Sequence, residues 1–164
     1  MGAEGLRVGL ISDTHGLMRP EALAALAATD HIVHAGDIGD PAILDALGRI
    51  APLTAIRGNN DTEAWARRLA DERTVELGGV RVHVVHDLAT LQAPPRGVRV
   101  VVSGHSHVPR VREEGGVLYV NPGSAGPRRF KLPVSVAHLA IARGQASARL
   151  LALDVAPPKQ RPRR

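Results

Sequence analysis

Acidic and imidazole side chains stand at the points where the apolar runs of this chain end. Asp13 and His15 come at the end of the run LRVGLIS, and Asp37 follows HIVHAG. Later runs end in the same way, at Asn59, His86, His105 and His107. Carboxylate and amide oxygens together with imidazole nitrogens, in a chain without cysteine, suit divalent Mn, Fe, Co, Ni or Zn rather than a calcium cage or a thiolate site. These residues therefore predict a metal site.

The number of these side chains indicates more than one ion. Seven ligands exceed what a single tetrahedral ion takes, but they suffice for two ions if one carboxylate bridges them. Paired ions roughly 3.5 to 4 Å apart are the usual device for in-line displacement at phosphorus. The set therefore favours phosphoester chemistry.

The segments between these residues explain how they can meet. The short apolar runs LRVGLIS, HIVHAG, PLTAIRG and VRVVVSG are typical of buried strands. The first three alternate with predicted helices in PEALAALAA, DPAILDALGR and DTEAWARRLADE, and Asp40 and Asp61 stand where N-caps are expected. Ligands of open α/β sheets bind beyond the carboxyl ends of the strands. We therefore expect the candidate ligands to converge at that edge.

The second half of the chain has a different pattern. RTVELGGVRVHVVH, PRVREEGGVLYV and PVSVAHLAIARGQASARLLAL each hold two strand-like runs separated by a turn that contains glycine. These segments predict antiparallel hairpins. A parallel half followed by hairpins predicts an α/β protein in which two sheets pack face to face, with helices outside.

Composition sets the remaining expectations. The 164 residues predict a single domain over 1–155, followed by a basic, Pro- and Arg-rich tail over 156–164 that we expect to be disordered. The net charge of +5 favours an anionic substrate, but an aromatic content of 2% argues against a nucleic-acid partner. No apolar run reaches the roughly 18 residues of a membrane helix. We expect a cytoplasmic protein without membrane association.

Five short blocks of the sequence resemble those of a known family. DTH, GDIGD, GNND, a single His after a hairpin strand and GHSH occur in the order found in the calcineurin-like metallophosphoesterases. The stretch NPGSAGPRR is similar to that of the small bacterial and archaeal phosphodiesterase subfamily, and the resemblance spans residues 8 to about 128. It implies a four-layer α/β/β/α sandwich, in which two mixed β-sheets are flanked by helices.

The resemblance also implies a dinuclear centre and a set of ligands. By position, Asp13, His15 and His107 would bind one ion, Asn59, His86 and His105 would bind the other, and Asp37 would bridge the two. We expect two divalent ions, Mn first, with Fe, Zn, Ni or Co as alternatives. A water between the ions would then be the nucleophile.

Other residues near these blocks are candidates for supporting roles. His34 lies close enough to Asp37 to support it, and Arg128 or Arg129 is expected to contact a phosphate oxygen. Asp87 stands where the subfamily usually has glycine, so it is either solvated or bonded to a ligand imidazole. Asn60 stands where the family's phosphomonoesterases often carry a histidine that helps the leaving group depart, and an amide cannot deliver that proton.

These residues predict a metal-dependent phosphodiesterase that acts on a small phosphodiester, with Asp37, Asn60, His34 and Arg128 as the candidate catalytic residues. Two alternatives stay open. One is a protein-interaction scaffold, because a retromer subunit shares the fold of the family. The other is a nuclease, although the chain has no room for the capping region of the DNA-repair members. Assembly into a homo-oligomer also stays open.

Overall fold

The computed structural model describes residues 5–129 and 131–155. The tail over 156–164 lies outside the described residues, so its disorder stays a prediction. Within those two ranges, no helix has the length and apolarity that crossing a membrane requires.

Strands dominate the described chain. In sequence order the elements are β1 (Leu6–Ile11), α1 (Pro20–Leu26), β2 (His31–His34), α2 (Pro41–Gly48), β3 (Leu53–Ala55), β4 (Glu72–Leu77), β5 (Val80–Val85), β6 (Val98–Val102), β7 (Arg110–Glu114), β8 (Val117–Asn121), β9 (Ser135–Ala142) and β10 (Gln145–Ala152). Short 3-10 helices at Ala64–Arg68 and Leu88–Thr90 lie in the connections after β3 and β5.

The strands form two five-stranded sheets, with the orders β10-β9-β1-β2-β3 and β4-β5-β6-β8-β7. In the first sheet β1, β2 and β3 are parallel, while β9 and β10 add an antiparallel hairpin at one edge. In the second sheet β5, β6 and β8 are parallel, and β4 and β7 are antiparallel edge strands. The predicted pair of mixed sheets is confirmed, as are the three predicted hairpins.

Apolar side chains fill the space between the two sheets. Each strand that faces this core contributes alternate residues, including Val8, Leu10, Val33, Val82, Val84, Val100, Val102 and Leu139. All of these are buried. Complete burial of one such side chain contributes roughly 1.5 to 3 kcal/mol, so this core holds the two sheets together.

The α-helices cover the outer face of the first sheet. Helix α2 begins as predicted, because Asp40 accepts a hydrogen bond from the Ala42 N–H at 2.9 Å and Pro41 is the first helical residue. Ile43 and Leu47, one turn apart, are buried against this sheet. Over the second sheet, the outer cluster around Val101 is covered by the connection that holds the 3-10 helix Leu88–Thr90.

The third predicted helix is wrong. DTEAWARRLADE forms only the 3-10 helix Ala64–Arg68, and Asp61 is not its N-cap. The buried Asp61 carboxylate instead accepts hydrogen bonds from the N–H groups of Ile38, Gly39 and Gly58, at 2.9 to 3.0 Å. Asp61 therefore ties the loop after β2 to the loop after β3.

Candidate metal centre

The candidate ligands lie at one edge of the sandwich, where strands of both sheets end. In the first sheet Asp13, Asp37 and Asn59 follow β1, β2 and β3; in the second, His86 follows β5 and His105 follows β6. These loops lie at the carboxyl ends of the strands, where the sequence predicts that the candidate ligands converge. Each loop must turn sharply to direct a polar side chain inward.

Backbone strain is concentrated in these turns. Among the described non-glycine residues, positive φ angles occur at Asp13, His15, Asp37, His105 and His107, and otherwise only at Arg143, which lies in the β9–β10 turn. The five angles at the edge lie between 44° and 70°. Asp and His visit this left-handed region more readily than most side chains, although it still costs free energy. Strain of this kind gathers at functional sites.

Asp13, His15 and His107 form the first group, whose nearest carboxylate and imidazole atoms lie within 4.8 Å of one another. Nε2 of His15 is 3.3 Å from Nε2 of His107, and Oδ1 of Asp13 lies 3.7 Å and 3.4 Å from these nitrogens. Asp13 is fully buried, whereas the His15 side chain is 25% exposed. Three donor atoms therefore point into one small space that is open on the His15 side.

The second group contains Asp37, His86 and His105. Nε2 of His86 lies 3.1 Å from Oδ2 of Asp37. The other ring nitrogen of His86 lies 2.8 Å from the Ala35 carbonyl oxygen, a contact that fixes the ring and directs Nε2 toward the site. His105 is the most exposed imidazole of the set, at 45%. Its side chain therefore forms the mouth of the second group.

The two groups share carboxylate neighbours. Oδ2 of Asp37 is 3.7 Å from Nε2 of His15 in the first group, besides its contact with His86 in the second. Oδ1 of Asp13 likewise lies 3.9 Å from Nε2 of His86. One pair of carboxylates therefore faces imidazoles on both sides.

The surrounding charges favour the ionised form of both carboxyls. Burial by itself would raise the pKa of Asp37, but His86, the Asn60 N–H and His15 lower it to about 2. Burial also opposes ionisation of Asp13, yet the imidazoles and the Ser12 hydroxyl hold its pKa below the ordinary value. Both side chains are therefore carboxylates at neutral pH, as cation ligands must be.

The imidazoles differ from one another. The Asp13 carboxylate raises the pKa of His15, and burial opposes this effect. At His86 burial would lower the pKa, but Asp37 and the Ala35 carbonyl raise it. Burial, together with the charge of Arg129, lowers the pKa of His107. His15 and His86 therefore retain protons more strongly than His107 does.

The donor atoms fit divalent ions. Within the described residues, Oδ1 of Asp13 and Nε2 of His86 are buried and have no hydrogen-bond partner. Leaving a buried carboxylate oxygen unpartnered is costly, and a cation relieves that cost. The set offers oxygen and imidazole nitrogen, which Mn, Fe, Co, Ni and Zn all accept.

Two glycines allow the loops to approach the ligands this closely. A Cβ at Gly36 would lie 2.7 Å from Nδ1 of His86, and the φ of +101° also disfavours other residues there. A Cβ at Gly104 would lie 2.6 Å from Oδ2 of Asp13 and would overlap the Ser12 hydroxyl. Larger residues at either position would displace a candidate ligand.

Side chains beside the groups hold the ligands in place. The Ser12 hydroxyl donates to Oδ2 of Asp13 at 2.7 Å. The backbone N–H and side-chain amide of Asn60 donate to Asp37 at 2.9 and 3.2 Å. The Asn121 amide donates to the Gly104 carbonyl at 3.0 Å. The local sequence pattern does not show which distant group Ser12, Asn60 or Asn121 reaches, so their positioning roles are visible only in the structure.

His34 lies beneath the site rather than in it. Its side chain is fully buried, Nδ1 accepts a hydrogen bond from the Gly36 N–H at 3.1 Å, and Nε2 contacts the Thr14 hydroxyl at 3.0 Å. Burial lowers the pKa of His34 to about 4, so the ring is neutral. Both ring nitrogens are engaged, and the geometry suits a positioning role for the loops of Asp13 and Asp37.

The remaining candidates lie at the rim. Asn59 is exposed in the turn after β3, and its assignment to the second ion stays a prediction. Arg128 and Arg129 are both exposed, but Arg129 is the one whose charge acts on His15 and His107. Asp87 caps the 3-10 helix Leu88–Thr90, and its Oδ2 lies 3.7 Å from Nε2 of His105.

Three further histidines, each within a strand, lie away from the site. His31 contacts the Thr54 hydroxyl at 2.8 Å, His83 contacts the Thr74 hydroxyl at 2.7 Å, and His138 contacts the Ala25 carbonyl at 2.7 Å. Each of these rings therefore has a partner within the fold.

Known proteins resemble this chain in sequence and in fold. Residues 6–144 match the calcineurin-like phosphoesterase superfamily domain. A probable metallophosphoesterase of Methanocaldococcus jannaschii is 32% identical over 132 residues, which cover 71% of this chain and 67% of that protein. A solved archaeal phosphodiesterase aligns with a TM-score of 0.73 and 22% identity, over 89% of this chain and all (100%) of that chain. Vps29 of Chaetomium thermophilum aligns with a TM-score of 0.71 and 19% identity, over 90% and 97%.

Proposed function

Because this chain belongs to the calcineurin-like phosphoesterase superfamily, we propose that it is a metal-dependent phosphodiesterase that acts on small phosphodiesters. The observation that carries the proposal is the pair of facing ligand groups at the shared edge of the two sheets. Like charges and orphaned polar atoms are costly to bury together unless a cation joins them. We therefore assign the edge to a centre of two divalent ions.

Each ion has a proposed ligand set. Asp13, His15 and His107 hold the first ion, Asn59, His86 and His105 hold the second, and Asp37 is shared between them. The distances from Asp37 to imidazoles of both groups support this sharing, since they are 3.1 and 3.7 Å. Two ions bound there would neutralise phosphate oxygens and lower the pKa of a water for attack on phosphorus.

Side chains around the ions prepare the site for that reaction. Asn60 and Ser12 fix the carboxylates by hydrogen bonds, and His86 is oriented through Ala35. Arg129 supplies positive charge that acts on His15 and His107, and this charge would attract a phosphate oxygen of the substrate. The chain thus contributes orientation and charge, the two effects on which phosphoryl transfer depends most.

The preference for diesters rests on the position of Asn60. Its amide donates to Asp37 and carries no proton that it can transfer to a departing alkoxide. A phosphodiesterase with this arrangement depends on leaving groups that are acidic enough to depart without a proton. Small aryl or activated diesters are therefore the substrates to test first.

Metal analysis and turnover together test the proposal. Protein purified without chelator should contain about two divalent ions per chain, and the metal analysis identifies them, with Mn expected. The purified protein should hydrolyse bis(4-nitrophenyl) phosphate, lose this activity when a chelator is added and recover it when Mn is supplied. Asp37→Ala serves as the inactive control.

If the protein is instead a protein-interaction scaffold, no hydrolysis is expected. Vps29 has this fold, so the fold by itself does not imply catalysis. A scaffold would hydrolyse neither the diester nor 4-nitrophenyl phosphate when Mn is supplied, whatever its metal content. Salt-sensitive binding to DNA would instead favour the nuclease alternative.

A further inference from the structure

A hollow of about 330 Å³ opens beside His105. Its walls include Asp87, Leu88, Arg112 and Tyr119. We propose that this hollow binds a flat, uncharged aromatic ring carried by one ester group of the substrate. The inference rests on the proposed function for the identity of the ligand. The volume of the hollow is sufficient for a ring-sized group.

One wall of the hollow is a planar cation, the guanidinium of Arg112. The guanidinium of Arg112 lies over the Tyr119 ring, 4.7 Å from the ring centroid. Glu114 holds the same guanidinium by an ion pair of 2.6 Å, so the plane is fixed from a second direction. A guanidinium held flat in this way stacks well on an aromatic ring, because it is planar and weakly hydrated.

Apolar surface completes the hollow. Leu88 is half-buried in the wall, and Val108 is 44% exposed at the rim, one of the few large apolar residues that the described chain exposes. A ring that stacks on Arg112 would cover both side chains. Aromatic rings suit this combination of a planar cation and aliphatic neighbours better than a sugar or a second phosphate does.

The hollow is rigidly connected to the candidate metal centre. Asn121 donates hydrogen bonds to the Gly104 carbonyl and to the Ser106 hydroxyl, at 3.0 and 3.1 Å, on either side of His105. Asp87 accepts from the Ala89 N–H at 3.0 Å and so fixes the 3-10 helix that carries Leu88. A diester bound at the ions would therefore place one substituent into a preformed space.

Ligand-observed NMR titrations of the protein as purified test the hollow with probes that contain no phosphate. Adenosine and 4-nitrobenzyl alcohol carry rings, and ribose carries none. Both ring probes should bind with millimolar dissociation constants, while ribose should not saturate. Binding of only one ring probe supports the hollow and identifies the ester group as heteroaromatic or as aryl.

Matched variants assign the binding to this wall. Arg112→Met should weaken ring binding about three- to fivefold, and Arg99→Met, which removes an exposed arginine of β6 outside the hollow, should not. Glu114→Gln should give a smaller loss, and it keeps the test valid if Arg112→Met folds poorly. The proposal is overturned if neither ring saturates, if ribose binds as well, or if the Arg112 and Glu114 variants both bind like wild type.

The result does not depend on catalysis. Ring binding without hydrolysis of any diester would reject the proposed function and keep the hollow as a binding site. Hydrolysis with no ring binding would reject the hollow and keep the proposed function.

Discussion

Nε2 of His86 lies 3.1 Å from Oδ2 of Asp37, yet no hydrogen bond within the described residues satisfies this buried nitrogen. The same carboxylate oxygen is 3.7 Å from Nε2 of His15, across the site. A single oxygen therefore faces imidazoles of both ligand groups. Such an arrangement leaves the nitrogens directed at the oxygen without bonding it, which is the geometry that a cation between them would use.

The first prediction concerns this carboxylate. Asp37→Ala should be the most damaging ligand substitution, because both proposed ions depend on Asp37. Turnover of bis(4-nitrophenyl) phosphate should fall more than about 100-fold, the upper end of the cost of losing a residue that merely supports a ligand. Metal content should fall for both ions. Asp45→Ala, on the exposed face of α2, is the matched control; retention of two ions by Asp37→Ala would refute the shared ligand.

The second prediction concerns Gly104, where the φ angle is ordinary and only space is limiting. Gly104→Ala would push a methyl group against Oδ2 of Asp13, so metal affinity should drop and stability should fall by about 1 to 3 kcal/mol. Gly48→Ala meets no atom within 4 Å and should be neutral or stabilising by up to about 1 kcal/mol. Urea unfolding with and without Mn measures both effects. Equal metal affinity in the two variants would contradict the close packing at Gly104.

The sequence predicted the sheets because each strand has its own local signal. Valine-rich runs and the Gly-Gly turns at 78–79 and 115–116 identify the strands and hairpins without tertiary information. The loops at the carboxyl ends follow from the parallel order of β1, β2 and β3. The same order selects Asp13, His15, Asp37 and Asn59 as candidate ligands, whereas His86, His105 and His107 follow strands of the second sheet.

The helix expected after β3 failed for a tertiary reason. Its composition favours a helix, but the Arg57 N–H donates to the Ala70 carbonyl at 3.0 Å, and the Arg57 guanidinium pairs with Asp71. These contacts fold the segment back on itself and leave room only for Ala64–Arg68. Asp61 accepts hydrogen bonds from three backbone N–H groups, of residues up to 23 positions away in the sequence. No local pattern reveals partners at that distance.

The third prediction concerns the neutral imidazole of His34. Burial lowers its pKa from 6.5 to about 4, so the unfolded chain binds more protons than the folded chain between these values. The contribution of neutral His34 to the free energy of unfolding is therefore complete above pH 6.5, and it is lost as the pH falls toward 4. The loss should approach about 3 kcal/mol.

His34→Gln isolates that contribution, because glutamine has no proton to gain. Urea unfolding in chelator from pH 7 to pH 4.5 should give a flatter pH dependence for the variant than for wild type, although the variant is less stable at pH 7. Parallel pH curves would mean that His34 is protonated in the folded state as readily as in the unfolded chain. His31→Gln, at the half-buried first residue of the same strand, controls for general effects of removing an imidazole. Burial also lowers the pKa of His31, so this variant should flatten the pH dependence less than His34→Gln does.

The last prediction concerns Asn60, whose amide donates to Oδ2 of Asp37 at 3.2 Å. If no residue protonates the departing oxygen, the rate should depend steeply on the acidity of the leaving alcohol. Asn60→His should then favour alkyl esters by up to about 10²- to 10⁴-fold relative to aryl esters, because a positioned imidazolium can donate the proton.

Asn60→Ala loses the same bond to Asp37 without adding an acid, so it should slow both classes of ester equally. Turnover of a series of diesters with graded leaving groups, at equal metal content, distinguishes the two variants. Parallel slopes for Asn60→His, Asn60→Ala and wild type would mean that this position only holds Asp37 and does not set which esters are cleaved.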